Sequence, residues 1–182
     1  ATWTGSSDDD SLGTLVRAAG DLDGDGVVDL LLGAVGADTD ASNGGSLYIV
    51  SSTATGSASV STASAEVYGD RSWDAVGYDD SADGTTDLDG DGQADLVLGA
   101  AYAEDEGGGQ GVAYVFYGPL TGSINAEDAD ARLLGSNDNA YLGTAVKTGF
   151  DLDGDGTGDI ALGAPRDERG GTDAGAVYAV SG

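Results

Sequence analysis

Three stretches of nine residues hold most of the chemistry this sequence can offer. They read DLDGDGVVD at 21–29, DLDGDGQAD at 87–95 and DLDGDGTGD at 151–159. Each places Asp at its first, third, fifth and ninth positions: Asp21, Asp23, Asp25 and Asp29; Asp87, Asp89, Asp91 and Asp95; Asp151, Asp153, Asp155 and Asp159. Four carboxylates so close together repel one another unless a cation sits among them. Alternate residues can turn their oxygens inward, and the interposed glycines let the backbone curl tightly enough for those oxygens to meet. Hard oxygen donors without His or Cys select calcium over zinc or copper. The expectation is three Ca²⁺ sites per chain.

The closing acid separates these loops from the EF-hand, which needs a bidentate Glu at position twelve. Position twelve here is Leu32, Leu98 or Leu162. By analogy with other calcium loops, the seventh residue (Val27, Gln93 or Thr157) supplies a backbone carbonyl. The alternative, three acidic turns without metal, leaves unexplained why every copy repeats all four acids and both glycines.

Other chemistry is scarce. The 182 residues include no His and no Cys, so the common acid–base and nucleophile pairs are missing and no disulfide is possible. Asp167, Glu168, Glu104, Asp105 and Glu106 read as solvated hairpin turns. The chain is read as not an enzyme. With 33 acids against 6 bases the net charge is −27, and three Ca²⁺ would leave about −21. Phosphate-rich nucleic acid and anionic membranes are poor partners for such a surface. The acid excess suits ordinary solubility, and it also suits a salt-adapted organism. No signal peptide or membrane span is recognisable, so Ala1 reads as the start of a mature or excised fragment. Loops of this kind fill at extracellular calcium levels, which points to a secreted or cell-surface location.

The loops must be held by strands. An apolar run follows each at once: LLLGA at 30–34, LVLGA at 96–100 and IALGA at 160–164. Such runs read as buried strands. Aligning on the loops also aligns ATWTGSSDDDSLG (1–13), AEVYGDRSWDAVG (65–77) and ARLLGSNDNAYLG (131–143). It likewise aligns the Tyr-bearing strands GGSLYIVS, GVAYVFYG and GAVYAVSG. Two polar linkers, 53–64 and 119–130, close the first two repeats, giving repeats 1–64, 65–130 and 131–182. Each repeat offers about four short strands and no helical period. Four strands per unit, repeated at this spacing, indicate an all-β propeller of four-stranded blades, three to the chain.

The sequence resembles the FG-GAP repeats of integrin α-subunit β-propellers. That family joins a Phe-Gly-like dipeptide, a DxDxDGxxD loop and a Gly-Ala-Pro-like tripeptide. Here the dipeptide is Leu12-Gly13, Val76-Gly77 and Leu142-Gly143. The tripeptide is Gly33-Ala34-Val35, Gly99-Ala100-Ala101 and Gly163-Ala164-Pro165. The Phe is never kept. The resemblance implies antiparallel four-stranded blades around an axis, calcium between the first two strands of each blade and a role in binding rather than chemistry. It also implies an offset, in which the opening strand of each repeat completes the preceding blade.

That offset leaves complementary ends, with residues 1–5 lacking a blade and the last blade lacking an outer strand. Pairing 1–5 with 175–182 within one chain would close only three blades, too few for a ring. Two chains joined head to tail would make six, so a homodimer is expected; a fragment of a longer propeller is the rival. The second repeat also differs between its dipeptide and its loop, where YDDSADGTT (78–86) replaces seven-residue strands. A bulge is the simpler reading. The alternative sets Asp79, Asp80 and Asp83 opposite Arg17 and Lys147.

The leading function is a calcium-stabilised adhesion module with a protein ligand, for which Trp3, Trp73, Tyr102 and Tyr141 are the aromatic candidates. A lectin binding glycans is a second reading, weakened because Trp3 aligns with Val67 and Leu133. A purely architectural propeller piece is a third.

Overall fold

A computed structural model describes residues 1–104 and 108–182. The strands are β1 (Thr2–Thr4), β2 (Leu12–Ala18), β3 (Asp29–Ala34), β4 (Ser46–Ser51), β5 (Ser57–Ser59), β6 (Ala65–Tyr68) and β7 (Ala82–Thr86). They continue with β8 (Asp95–Ala100), β9 (Val112–Phe116), β10 (Gly122–Asn125), β11 (Ala131–Leu134), β12 (Ala145–Phe150), β13 (Asp159–Ala164) and β14 (Ala176–Val180). The fold is all-β.

Antiparallel strands run in the order β2-β3-β4-β6 in the first blade and β7-β8-β9-β11 in the second. The third, among the described residues, holds β12-β13-β14. The offset is as expected. Opening strand β6 completes the blade before it, with Ser46 opposite Tyr68, and β11 does the same, with Val112 opposite Leu134.

The linkers differ from the expectation. Both form strands that lie parallel on an opening strand: β10 on β6, and β5 on β1. Each continues into a 3-10 turn, Val60–Thr62 or Ala126–Asp128, capped by the Ser59 or Asn125 side chain accepting a backbone N–H. β1 pairs with β5 and not with β14, so the chain does not close on itself through these strands.

Continuous apolar strands follow from burial on two sides. In β8, Leu96 and Leu98 face a core shared with the first blade, while Val97 faces one shared with the third. β9 divides in the same way, Tyr114 and Phe116 to one side and Ala113 and Val115 to the other. Alternating side chains thus enter alternate cores, and after its first residue, Asp95, β8 carries no polar side chain.

The inserted segment of the second repeat is bulged and charged at once. β7 slips register between Asp83 and Thr86. It also packs beside β2 and β12, so that Asp80 pairs with Arg17 and Asp83 with Lys147. The charge alternative therefore stands beside the bulge. Asp83 is 3 % exposed. Burial pushes its carboxyl up, but bonds from Lys147 Nζ, the Thr85 hydroxyl and the Thr148 N–H outweigh this and hold it below its usual range. A depressed carboxyl adds stability above its unfolded value of 3.8, and that stability is lost as pH falls through the lower folded value. Lys147→Ala is expected to cost about 2 kcal/mol at neutral pH, less than a fully buried pair because the lysine is mostly exposed. The deficit should shrink under acid, once Asp83 takes up a proton. Urea titrations of both proteins at neutral and acidic pH check this; a deficit that ignores pH would refute it.

Candidate metal centre

The three acidic loops join the first and second strands of their blades and repeat one hydrogen-bond pattern. The first Asp accepts two glycine N–H groups: Asp21 from Gly24 and Gly26 at 2.9 and 2.8 Å, Asp87 from Gly90 and Gly92 at 2.7 and 2.9 Å, Asp151 from Gly154 and Gly156 at 2.6 and 3.0 Å. The glycines reach back because their φ angles, between 78° and 95°, lie where a side chain is strained. The third Asp accepts the N–H of the fifth residue. The fifth, Asp25, Asp91 or Asp155, accepts that of Val27, Gln93 or Thr157. The Thr157 hydroxyl and N–H hold the Asp155 carboxyl below its usual range.

The ninth Asp is the first residue of the strand that leaves the loop, and it is buried. Asp29, Asp95 and Asp159 are 1, 0 and 1 % exposed. Each accepts the N–H of the second loop residue, Leu22, Leu88 or Leu152. Burial pushes the Asp29 and Asp95 carboxyls up, and neighbouring loop acids push in the same direction against the N–H bonds.

These bonds bring oxygens of the first, third and ninth acids together. In Asp21–Asp23–Asp29, Asp87–Asp89–Asp95 and Asp151–Asp153–Asp159, one oxygen from each residue lies within 4.8 Å of the others. Oxygens on opposite sides of a bound Ca²⁺ stand about 4.6–5.2 Å apart, so the triads fit that ion. The fifth-position acids lie outside these triads.

The second oxygen of the ninth Asp separates the loops. Gly118 and Gly182 donate to Asp95 and Asp159 at 2.9 and 3.3 Å. The aligned Ser52 N–H goes instead to the Val28 carbonyl. Asp29 Oδ1 is left buried with no hydrogen-bond partner among the described residues. An unpartnered buried carboxylate oxygen is costly, and a cation in the loop would remove the cost.

The acids read as solvated turns divide. Glu104 and Glu168 are exposed, and Asp105 and Glu106 lie outside the described residues. Asp167 is fully buried, contrary to expectation. Bonds from Ser136, Tyr178 and the Arg169 N–H lower its carboxyl to about 2. Alanine fills the aligned positions 37 and 103, so comparison of the repeats gave no sign of a buried acid here. Among the aromatics, Trp3 packs half-buried against the first blade, and Trp73 is 68 % exposed. Tyr78, Tyr102 and Tyr141 form a row, with centroids 6.0 and 5.4 Å apart, at the strand ends away from the acidic loops. Sequence reasoning omitted Tyr78.

Comparison with known proteins agrees with this geometry. The family profile of the FG-GAP repeat matches residues 81–116 and 142–180. Integrin alpha pat-2 of Caenorhabditis briggsae is 37 % identical over 100 residues, 54 % of this chain and 8 % of that protein. Human Integrin alpha-6 is 38 % identical over 96 residues, 53 % of this chain and 8 % of its own length. Integrin alpha-7 of Rattus norvegicus is 41 % identical over 88 residues, 47 % of this chain and 7 % of its own length. The chain thus spans under a tenth of each relative. With two segments matching the repeat profile, integrin α relatives at this identity and blades offset from the repeats, the chain carries FG-GAP repeats and is similar to integrin α subunits.

Proposed function

We propose that the chain is a calcium-stabilised β-propeller module that works in adhesion by binding a partner protein, not by catalysis. The observation that carries the reading is the threefold repetition of a carboxylate triad closed by a buried Asp, one copy of which keeps an unpartnered oxygen. Asp21, Asp23, Asp25 and Asp29 would hold one Ca²⁺ with the Val27 carbonyl. Asp87, Asp89, Asp91 and Asp95 would hold a second with that of Gln93, and Asp151, Asp153, Asp155 and Asp159 a third with that of Thr157. Each set comes from a single short loop, which suits a structural ion. Millimolar calcium outside cells suits the same sites, and the integrin relatives support a cell-surface or secreted setting. Among the described residues no helix is long and apolar enough to cross a membrane.

Calorimetric titration with Ca²⁺ tests the reading. Three sites per chain are expected, and Asp29→Asn, Asp95→Asn and Asp159→Asn should each remove one. Absence of binding at millimolar calcium would overturn it. A second reading, glycan binding, draws on the partly exposed row Tyr78–Tyr102–Tyr141 with Arg166 stacked on Tyr141. A glycan array without hits would end it.

A further inference from the structure

We propose that the first and second calcium sites are coupled through the segment Gly118–Leu120, so that filling either one tightens the other. This rests on the calcium reading above and names the residues that position two sites at once.

The segment follows β9 and reaches both loops. The Gly118 N–H donates to Asp95 Oδ1, on the closing acid of the second loop, at 2.9 Å. Two residues later, the Leu120 N–H donates to the Leu22 carbonyl of the first loop at 2.7 Å. That carbonyl shares a peptide plane with the Asp23 N–H, which donates to Asp29 Oδ2 at 3.3 Å. A planar peptide moves as one piece. Drawing Asp29 toward a cation therefore fixes the acceptor of Leu120, and holding Leu120 fixes Gly118 beside Asp95. Hydrogen bonds linked in this way also polarise one another. Leu22 and Leu120 are 0 and 5 % exposed and belong to one core, so the segment cannot swing into water without opening it.

Packing leaves little slack in the link. A Cβ built on Gly24, whose N–H donates to Asp21, would lie 3.1 Å from the Pro119 Cβ. One on Gly118 would lie 2.5 Å from the carbonyl oxygen of Ala94, the residue before Asp95. The two loops also touch directly. Gly20 leads into the first loop and donates its N–H to the Gly84 carbonyl at 2.7 Å. A Cβ placed on it would lie 2.5 Å from that of Ala94. The second and third loops repeat this contact with the sizes exchanged. Thr86 takes the place of Gly20 and Gly158 that of Ala94, and a Cβ on Gly158 would lie 2.6 Å from the Thr86 Cγ2. Glycine stands on one side where the other carries a side chain, so neighbouring loops are fitted to one another.

Electrostatics works against the coupling, because two cations repel. Salt at physiological strength screens charges more than about 8 Å apart, whereas a hydrogen-bonded chain acts by contact. Coupling between sites typically changes affinity by about 5- to 150-fold. A link of three hydrogen bonds belongs near the low end, at about tenfold. Linkage requires the factor to be the same in both directions.

Hydrogen exchange at graded free calcium tests this, because each site has its own reporter. The Leu22 N–H donates to Asp29, that of Leu88 to Asp95 and that of Leu152 to Asp159. Asp29→Asn, which removes the first site, should raise the calcium concentration that protects the Leu88 amide by about tenfold. Asp95→Asn should raise that of Leu22 by the same factor, a reciprocity that mere loosening of the structure does not produce. Asp159→Asn should move Leu22 less, because the second blade lies between the first and third. Pro119 is exposed, and Pro119→Gly frees the chain between the two bonds. In that background all three sites should still fill at millimolar calcium, and both shifts should shrink. Midpoints that stay, fall or shift unequally would overturn the coupling, as would full-sized shifts with Pro119→Gly, while calorimetry showing three sites would keep the calcium reading. Amides indifferent to calcium in the wild type would overturn both.

Discussion

Gly99→Ala is expected to be among the most damaging single substitutions in the chain, lowering stability by about 4 kcal/mol. The added carbon would sit 2.0 Å from the carbonyl oxygen of Gly143, 2.7 Å from its carbonyl carbon and 2.8 Å from its Cα. All three are backbone atoms, so no rotamer change relieves the clash, and the second and third blades must move apart. Moving them opens the core of Val97, Ala113, Val115, Leu142, Val146, Ile160 and Leu162. For a chain of this length such a loss lowers the melting temperature by about 10 °C. Gly163→Ala is the control, because the same carbon there meets only Ala145 at 3.4 Å. If Gly99→Ala melted with the wild type, the blades would not be as closely packed as described.

The contrast between Gly99 and Gly163 bears on what a sequence can tell. All three tripeptides are read alike from the chain, and so are Leu47, Ala113 and Val177. Their apolar runs correctly mark buried strands, and the family resemblance implies the strand offset that β6 and β11 show. Which faces are covered depends on the number of blades that follow, and residue type does not encode this. The acidic loops were the most legible feature, since their hydrogen bonds run within nine residues. Contacts between distant segments were the least. Asp83 meets Lys147 only because β7 settles beside β12, 64 residues further on. Read along the chain, this run of acids favours a bulge, and the pairing with Arg17 and Lys147 stands only as the alternative. Asp167 was misread for the same reason, because the Ser136 and Tyr178 hydroxyls that sustain it come from other strands and turns. The linkers were misread because β5 and β10 are short and polar. They earn strand geometry from a parallel neighbour supplied by an earlier segment.

Removing calcium is expected to have the largest effect of all. A site held at a hundred times its dissociation constant contributes about 2.7 kcal/mol, so three sites, each taken separately, contribute about 8 kcal/mol. That is comparable with the whole stability of an ordinary domain, about 5–15 kcal/mol. The acids make the loss worse than a simple withdrawal of binding energy. Without a cation, Asp29 and Asp95 remain buried beside other loop carboxylates, and burial raises the protonation tendency of both. Asp29 Oδ1 has no hydrogen-bond partner among the described residues to soften this. In excess chelator the melting temperature should fall by about 20 °C, and re-addition of calcium should restore it. The first loop should yield first, since Asp95 and Asp159 keep bonds from Gly118 and Gly182 that Asp29 lacks. Hydrogen exchange during chelation can read that order, through the amides of Leu22 and Asp23, which donate to Asp29. They should lose protection before Leu88, which donates to Asp95. A melting curve unmoved by chelator would mean that the loops hold their shape through N–H bonds alone, and the metal would then have no part in stabilising the fold.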